Sequence, residues 1–386
     1  MVDGKGMTEG IMITKHADRE TSPTATALCH FAINHQPSTM LFTRFEQFKP
    51  SGRTVNGLRV AFGIDIDGCV DPGMLKHEDG FATVSVQHYG LQMITGTAKR
   101  AWMFVNCFSS DRGITRFRAL YMWADVLLQT PAAVEAGAKI PSFKFLRRWC
   151  DVTDSYSPEA LDSYLAAGDL SGILEEGDAP ADAVCELQGV HDWSCRVNNS
   201  VGPAIENMTA FPHAVTALKR AHELGVDLCA VSGTPEEHVV KQLRTYGVLD
   251  CFIGIFAQQA GKKCVGLATM MAGPDFASAG SPALKHVEAN YDVLLMMGDA
   301  PKDHGESLKA NEILTGNEDS PCRMYFIEVG RENQSWKTFN EEVLDQVVGN
   351  SWSKEHEAEL VARGLANLDR MWEPDVAPID TFARRS

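Results

Sequence analysis

Short apolar runs recur along the chain, and several are cut off by aspartate, glycine, serine or threonine. The first is LRVAFGIDIDGCV at 58–70. Val60, Ala61, Phe62 and Ile64 leave it no polar face, which predicts a strand covered on both sides. VDLCAVSGTP at 226–235, CFIGIFA at 251–257, DVLLMMGD at 292–299 and RMYFIEVG at 323–330 repeat the pattern. Between them lie helical periods, among them FPHAVTALKRAHELG at 211–225, which Gly225 should close. Buried strands separated by helices predict a parallel sheet, right-handed crossovers and a three-layer α/β sandwich. Ligands in such sheets bind at the carboxyl ends of strands. Asp65 and Asp67 fall at such an end, on one side of an extended backbone, with Gly68 permitting a sharp exit.

Residues 73–205 interrupt this alternation with mainly helical patterns. Within them, TAKRAWMFVNCFSSDRGITRFRALYMW at 97–123 reads as a helix, a tight Ser-Ser-Asp-Arg-Gly turn and a second helix. Asn106, Arg112 and Arg116 are expected to converge there, since arginine presents a planar fork suited to phosphate or carboxylate. Trp149 and Trp193 read as core of this segment. EEGDAPADA at 175–183 reads as a solvated charge run in an exposed connection between short helices. Residues 1–40 are polar without a clear period, and 40–50 predict a short helix ending at Pro50. In the tail, Trp336, Phe339, Val343, Leu344 and Val347 stand at helical intervals, as do residues within 353–371, so two further helices should pack on the core.

The formal charge of −16 over 386 residues opposes binding to nucleic acid or an anionic membrane. An anionic substrate must therefore be gathered by local lysine and arginine. The ten cysteines are scattered without a Cys-x-x-Cys pair, as expected of reduced thiols rather than disulfides or a zinc site. No apolar run approaches the ~20 residues of a membrane span. The first residues lack the apolar centre of a secretory signal, so the expected location is cytoplasmic.

Three strand ends in order carry Asp65-x-Asp67, then Ser232-Gly233-Thr, then Gly-Asp299-x-x-x-Asp303. This series resembles the signature of the haloacid dehalogenase-like hydrolase superfamily, and NCFSSDRGITRF resembles uncharacterised bacterial members of it. The resemblance implies a Rossmann-like catalytic core at 58–72 and 206–330. It implies a helical cap at 73–205 that closes over the site, an N-terminal extension at 1–57 and C-terminal helices at 331–386. Asp65 is then the nucleophile that forms an aspartyl-phosphate, and Asp67 the acid that protonates the leaving oxygen and later activates water. Ser232 and Gly233 would hold the phosphate with a lysine, best matched by Lys263, with Lys262 and Lys285 as alternatives. Carboxylates about 4 Å apart repel by about 4 kcal/mol at an effective dielectric near 20, so the cluster demands a cation. All-oxygen ligands point to Mg²⁺. Asp65, the Asp67 carbonyl, Asp299 and Asp303, the last through water, would hold it. Lys76 and His77, at the entry to the cap, are candidate substrate contacts.

The expected activity is Mg²⁺-dependent hydrolysis of a small phosphomonoester. A phosphomutase shares the same residues, and a binding protein with a residual metal site is the alternative outside catalysis. Asp67 argues against phosphonate cleavage through Lys76 or Lys99.

Overall fold

The computed structural model describes residues 48–206, 208–273, 289–315 and 322–369. Most of the segment predicted as a helix at 40–50, and Lys285, lie outside these residues. Five strands form one sheet: β1 (Val60–Ile64), β2 (Asp227–Val231), β3 (Phe252–Phe256), β4 (Val293–Gly298) and β5 (Cys322–Phe326). All pairings are parallel and the order is β3-β2-β1-β4-β5. The first strand of the chain is therefore central, flanked by β2 and β4, and every residue of it is buried.

The alternation of side chains divides the apolar residues between two faces. Phe62, Leu228 and Leu295 pack with Ala214, Ala217 and Leu218 of the Pro212–Leu224 helix and with Trp336 and Phe339 of the tail. Ala61, Cys229, Leu294 and Met296 pack with Leu267 and Met270 of the Lys263–Ala272 helix and Ala310 of the Pro301–Thr315 helix. The result is a three-layer α/β sandwich. Gly225 closes its helix at φ 105°, a left-handed conformation that glycine adopts without strain.

The chain leaves and rejoins this core at neighbouring points, for the Phe211 amide donates to the Val70 carbonyl at 2.9 Å. The intervening segment is mainly helical and has its own apolar cluster. Trp102, Trp123, Trp149 and Trp193 are fully buried in it, with Trp102 edge-on to both Trp123 and Trp193 at 5.9 Å.

Most of the 175–183 run is exposed, as expected of a solvated connection, but some of its charges are paired. Asp178 is ion-paired with Lys144 and Arg148, and Glu175 with Arg148. From Pro180 the chain enters a single helix, Pro180–Glu206, where short helices were expected. The signal was present in Ala183, Leu187, Val190, Trp193 and Val197, spaced by three or four residues and buried in the insertion. The acidic residues before them masked it.

The tail forms helical turns from Glu332 to Val348 and a further helix, Lys354–Ala366. The Trp336 indole donates to the Cys69 carbonyl at 2.6 Å, tying the tail to the turn after β1. The cysteines among the described residues are free thiols, and no helix among those residues is long and apolar enough to cross a membrane.

Gly364 marks where the last helix presses on β5, because a Cβ there would run into the Phe326 ring. Gly364→Ala should destabilise the fold by roughly 1–3 kcal/mol through overpacking, despite alanine's better helix propensity. Urea unfolding measures this. A gain in stability would show that the ring moves aside freely.

Candidate active site

Parallel strands deliver their exits to one end of the sheet, and there β1 and β4 place their acids together. Asp65 follows β1, with its amide held by the Met297 carbonyl of β4 at 2.9 Å. Asp299 follows β4. Asp303 lies in the first turn of the Pro301–Thr315 helix and folds back, so that its Oδ2 accepts from the Ala300 amide at 3.2 Å. Each of the three carboxylates offers an oxygen within 4.8 Å of the others, and all three residues are buried.

Cations from two segments meet this cluster, and a third cation meets Asp67 beside it. Lys263 opens its helix after β3, and its Nζ lies 2.7 Å from Asp65 Oδ2 and 2.6 Å from Asp303 Oδ1. Lys262, the alternative, caps that helix at an exposed position. Arg112 comes from the insertion and pairs with Asp299, while its other terminal nitrogen donates to the Cys107 carbonyl at 3.0 Å. The turn carrying Arg112 rests on the core, since a Cβ at Gly113 would lie 3.2 Å from Ala300. Its near side is bound to the tail: the Ser110 amide donates to Asp369 Oδ1 and the Asp369 amide to the Phe108 carbonyl, both at 2.8 Å. Lys76 pairs with Asp67.

The two aspartates of the first motif have opposite electrostatics. Burial, with Asp303 and Asp299 nearby, pushes Asp65 up to about 7 in spite of Lys263. Burial likewise takes Asp299 to about 6 against the pull of Arg112. For Asp67, burial is outweighed by the Lys76 ammonium and by hydrogen bonds from Gln242, Lys76 and Thr234, which hold it well below the usual carboxylate range. Asp303 and Asp65 together keep Lys263 firmly protonated against the effect of its burial.

Other candidates stand as follows. Ser232, buried at the end of β2, accepts from the Thr234 amide at 3.2 Å, and its own amide donates to the Phe256 carbonyl at 2.9 Å. Gly233 is exposed, with open space where a side chain would project. His77 Nδ1 lies 3.3 Å from the Trp102 indole nitrogen, which can only donate, so the imidazole carries its proton on Nε2. Burial and the nearby Arg112 and Lys76 lower it to about 3, which keeps it neutral. The expected convergence of Asn106, Arg112 and Arg116 is not what the chain forms. Asn106 donates to the Trp102 carbonyl at 3.0 Å within its own helical segment. Arg116 donates to Asn198 Oδ1 at 2.6 Å and Ser194 Oγ at 3.3 Å, and lies over the Phe81 ring. Arg112 alone of the three meets the carboxylate cluster.

Sequence reasoning passed over Asp71, Thr234, Gln242 and Tyr246. Thr234 and Gln242 both donate to Asp67, and Gln242 and Tyr246 to Asp71. The Gln-x-x-x-Tyr spacing puts both side chains on one helical face, but nothing in the sequence says what that face meets.

The donor set fits a small, hard divalent cation. Three carboxylate oxygens converge, and the raised affinity of Asp65 and Asp299 for protons reflects burial first and neighbouring carboxylates second, both of which such an ion would offset.

No family model matches the chain, and no curated protein matches it. Among solved structures, it is similar to one described as a predicted phosphoglycolate phosphatase from Haemophilus somnus 129PT, with 13% identity and a TM-score of 0.33 over 70% of this chain and 86% of that one. It is also similar to a hydrolase of the haloacid dehalogenase-like family from Streptococcus pneumoniae, at 12% identity and a TM-score of 0.30 over 79% of this chain and 98% of that one.

Proposed function

We propose that this chain is a haloacid dehalogenase-like phosphohydrolase that cleaves a small phosphomonoester through a phosphoryl group carried on Asp65, with Mg²⁺ as its cation. The observation that supports this best is Lys263, whose ammonium bridges Asp65 and Asp303 at the strand ends beside Asp299. An ammonium in that place favours the ionised, nucleophilic form of Asp65 against the effect of burial and faces the oxygens of an arriving phosphate.

Asp65, Asp299, Asp303 and the Asp67 carbonyl would hold the cation, which supplies charge neutralisation for the carboxylates and for the phosphate oxygens. The residues of the chain do the rest. A carboxylate oxygen of Asp65 attacks phosphorus, the bond to the leaving oxygen breaks, and its electron pair stays with that oxygen. Lys263 and the Ser232 hydroxyl, with the open backbone at Gly233, bind the transferring group. Asp67, held ionised, is set to take a proton from the water that then attacks the phosphoryl group and restores Asp65. To donate a proton to the leaving oxygen in the first step, Asp67 has to give up its contact with Lys76. Arg112 and neutral His77 present donors from the insertion, Arg112 with a buried Nε that has no partner among the described residues. Both are candidate contacts for the rest of the substrate, while Asn106 and Arg116 shape the helices behind them.

Phosphate release from a panel of sugar phosphates, nucleotides, phospho-acids and an aryl phosphate tests the reading. Release should require Mg²⁺, stop with EDTA and disappear in Asp65→Asn. Lys263→Met should lower kcat by roughly 10²–10³-fold. Metal-independent release, or release that survives Asp65→Asn, contradicts the reading. Retention of phosphoryl on Asp65 without release would mark a mutase.

The metal assignment has its own check in thermal unfolding. Mg²⁺ at about 100 times its Kd should stabilise the protein by about 2.7 kcal/mol, and Asp299→Asn should abolish most of that gain. Gly68→Ala should also weaken it, because Gly68 sits at φ 81° and a Cβ there would collide with Arg112 and the Asp299 carboxylate. Equal stabilisation of all three proteins would place the metal elsewhere.

A further inference from the structure

Asp67 is gripped from two directions. Lys76 reaches it from the start of the insertion, whereas Thr234 and Gln242 reach it from the core. Gln242 lies on the Glu236–Thr245 helix with its side chain 1% exposed. Its Nε2 donates to Asp67 Oδ1 at 3.0 Å and to Asp71 Oδ2 at 2.7 Å. Tyr246, one turn further on, donates its hydroxyl to the same Asp71 oxygen at 2.7 Å. Asp71 is fully buried, and an isolated β-bridge joins its backbone to that of Asp67.

The orientation of the amide is fixed by chemistry. Turning it over would aim its oxygen at two carboxylate oxygens, so the NH₂ group must face them. In consequence Gln242 Oε1 is buried without a hydrogen-bond partner among the described residues. A buried orphan acceptor is unfavourable, and it accompanies the two carboxylate contacts made by the NH₂ group. The amide meets one oxygen of Asp67 and is itself anchored on Asp71, which Tyr246 also holds, so it can fix the direction of the Asp67 carboxylate.

We propose that Gln242, backed by Asp71 and Tyr246, is a positioning residue that holds the Asp67 carboxylate in its proton-transfer orientation when Lys76 withdraws. The inference rests on the reading of Asp67 as the acid-base group. It assigns the two grips different tasks: Lys76 sets charge, and Gln242 sets direction. A side chain that only satisfied buried Asp71 would affect stability without regard to the leaving group of a substrate.

The test compares an alkyl phosphate, whose leaving oxygen needs a proton, with a nitrophenyl phosphate, whose leaving group departs without one. In Gln242→Leu, kcat for the alkyl ester should fall roughly 100-fold, as misplacement by about 1 Å can cost. The aryl ester should change little, with KM preserved for both. Tyr246→Phe, a gentler change that keeps the ring, should show a smaller loss with the same selectivity. In an Asp67→Asn background, Gln242→Leu should cause no further loss. Equal losses on both esters, or an undiminished loss in the Asp67→Asn background, overturn the proposal. If the wild-type chain releases phosphate from neither ester, the phosphohydrolase reading fails separately. The crystal structure of Gln242→Leu then decides the positioning role: a rotated Asp67 carboxylate supports it, and an unmoved one overturns it.

Discussion

Like charges crowded at the ends of two adjacent parallel strands are the constraint on which the rest of this structure depends. Parallel pairing brings the exits of β1 and β4 to one edge, and with them Asp65, Asp299 and Asp303, each buried. Taking carboxylates out of water beside one another is unfavourable unless positive charge accompanies them. Lys263 supplies part of it from the helix after β3, and Arg112 supplies part from the insertion. The turn that holds Arg112 is in turn bound to the tail at Asp369. Segments remote in sequence thus owe their meeting point to one electrostatic need.

That arrangement separates two aspartates that are only two residues apart. Asp65 sits among other acids, and its burial raises its affinity for protons. Asp67 faces donors on both carboxylate oxygens and stays ionised. A nucleophile relieved by cations and a base steadied by hydrogen bonds are the two roles that hydrolysis by way of a phosphoryl-aspartate requires. On the proposed reading, environment assigns those roles, since the side chains are identical. Residues flanking them follow the same logic: Gly68 must lack a side chain because Arg112 and Asp299 occupy the space, and His77 is kept neutral by burial and by the cations around it.

The sheet was legible in the sequence because strands buried on both faces have no polar residues to confuse the pattern, as in VAFGI and VLLMMG. The carboxylate cluster was legible because its members stand directly at the strand ends. Lys263 could be read from its place at the opening of the helix after β3. Gln242 and Tyr246 could not. On a helix with Glu236, Glu237 and Lys241 they look like two more polar residues, and only the tertiary approach of Asp67 and Asp71 gives them meaning. Arg116 was misplaced for a related reason. Its nearness to Arg112 in sequence says nothing of the helix start between them, which turns Arg116 towards Ser194 and Asn198. The helix Pro180–Glu206 was hidden by the acidic run before it, in which Asp178 pairs with Lys144 and Arg148.

The central claim is that Asp65 carries the phosphoryl group, and peptide mapping by mass spectrometry after acid quench tests it most directly. The chain, mixed with Mg²⁺ and a turned-over phosphomonoester and stopped within one turnover, should show a phosphoryl adduct on the peptide containing Asp65. Borohydride reduction should then convert that residue alone to homoserine. Phosphate release with the label on another residue, or with no label at any time from the first turnover onward, would contradict the account.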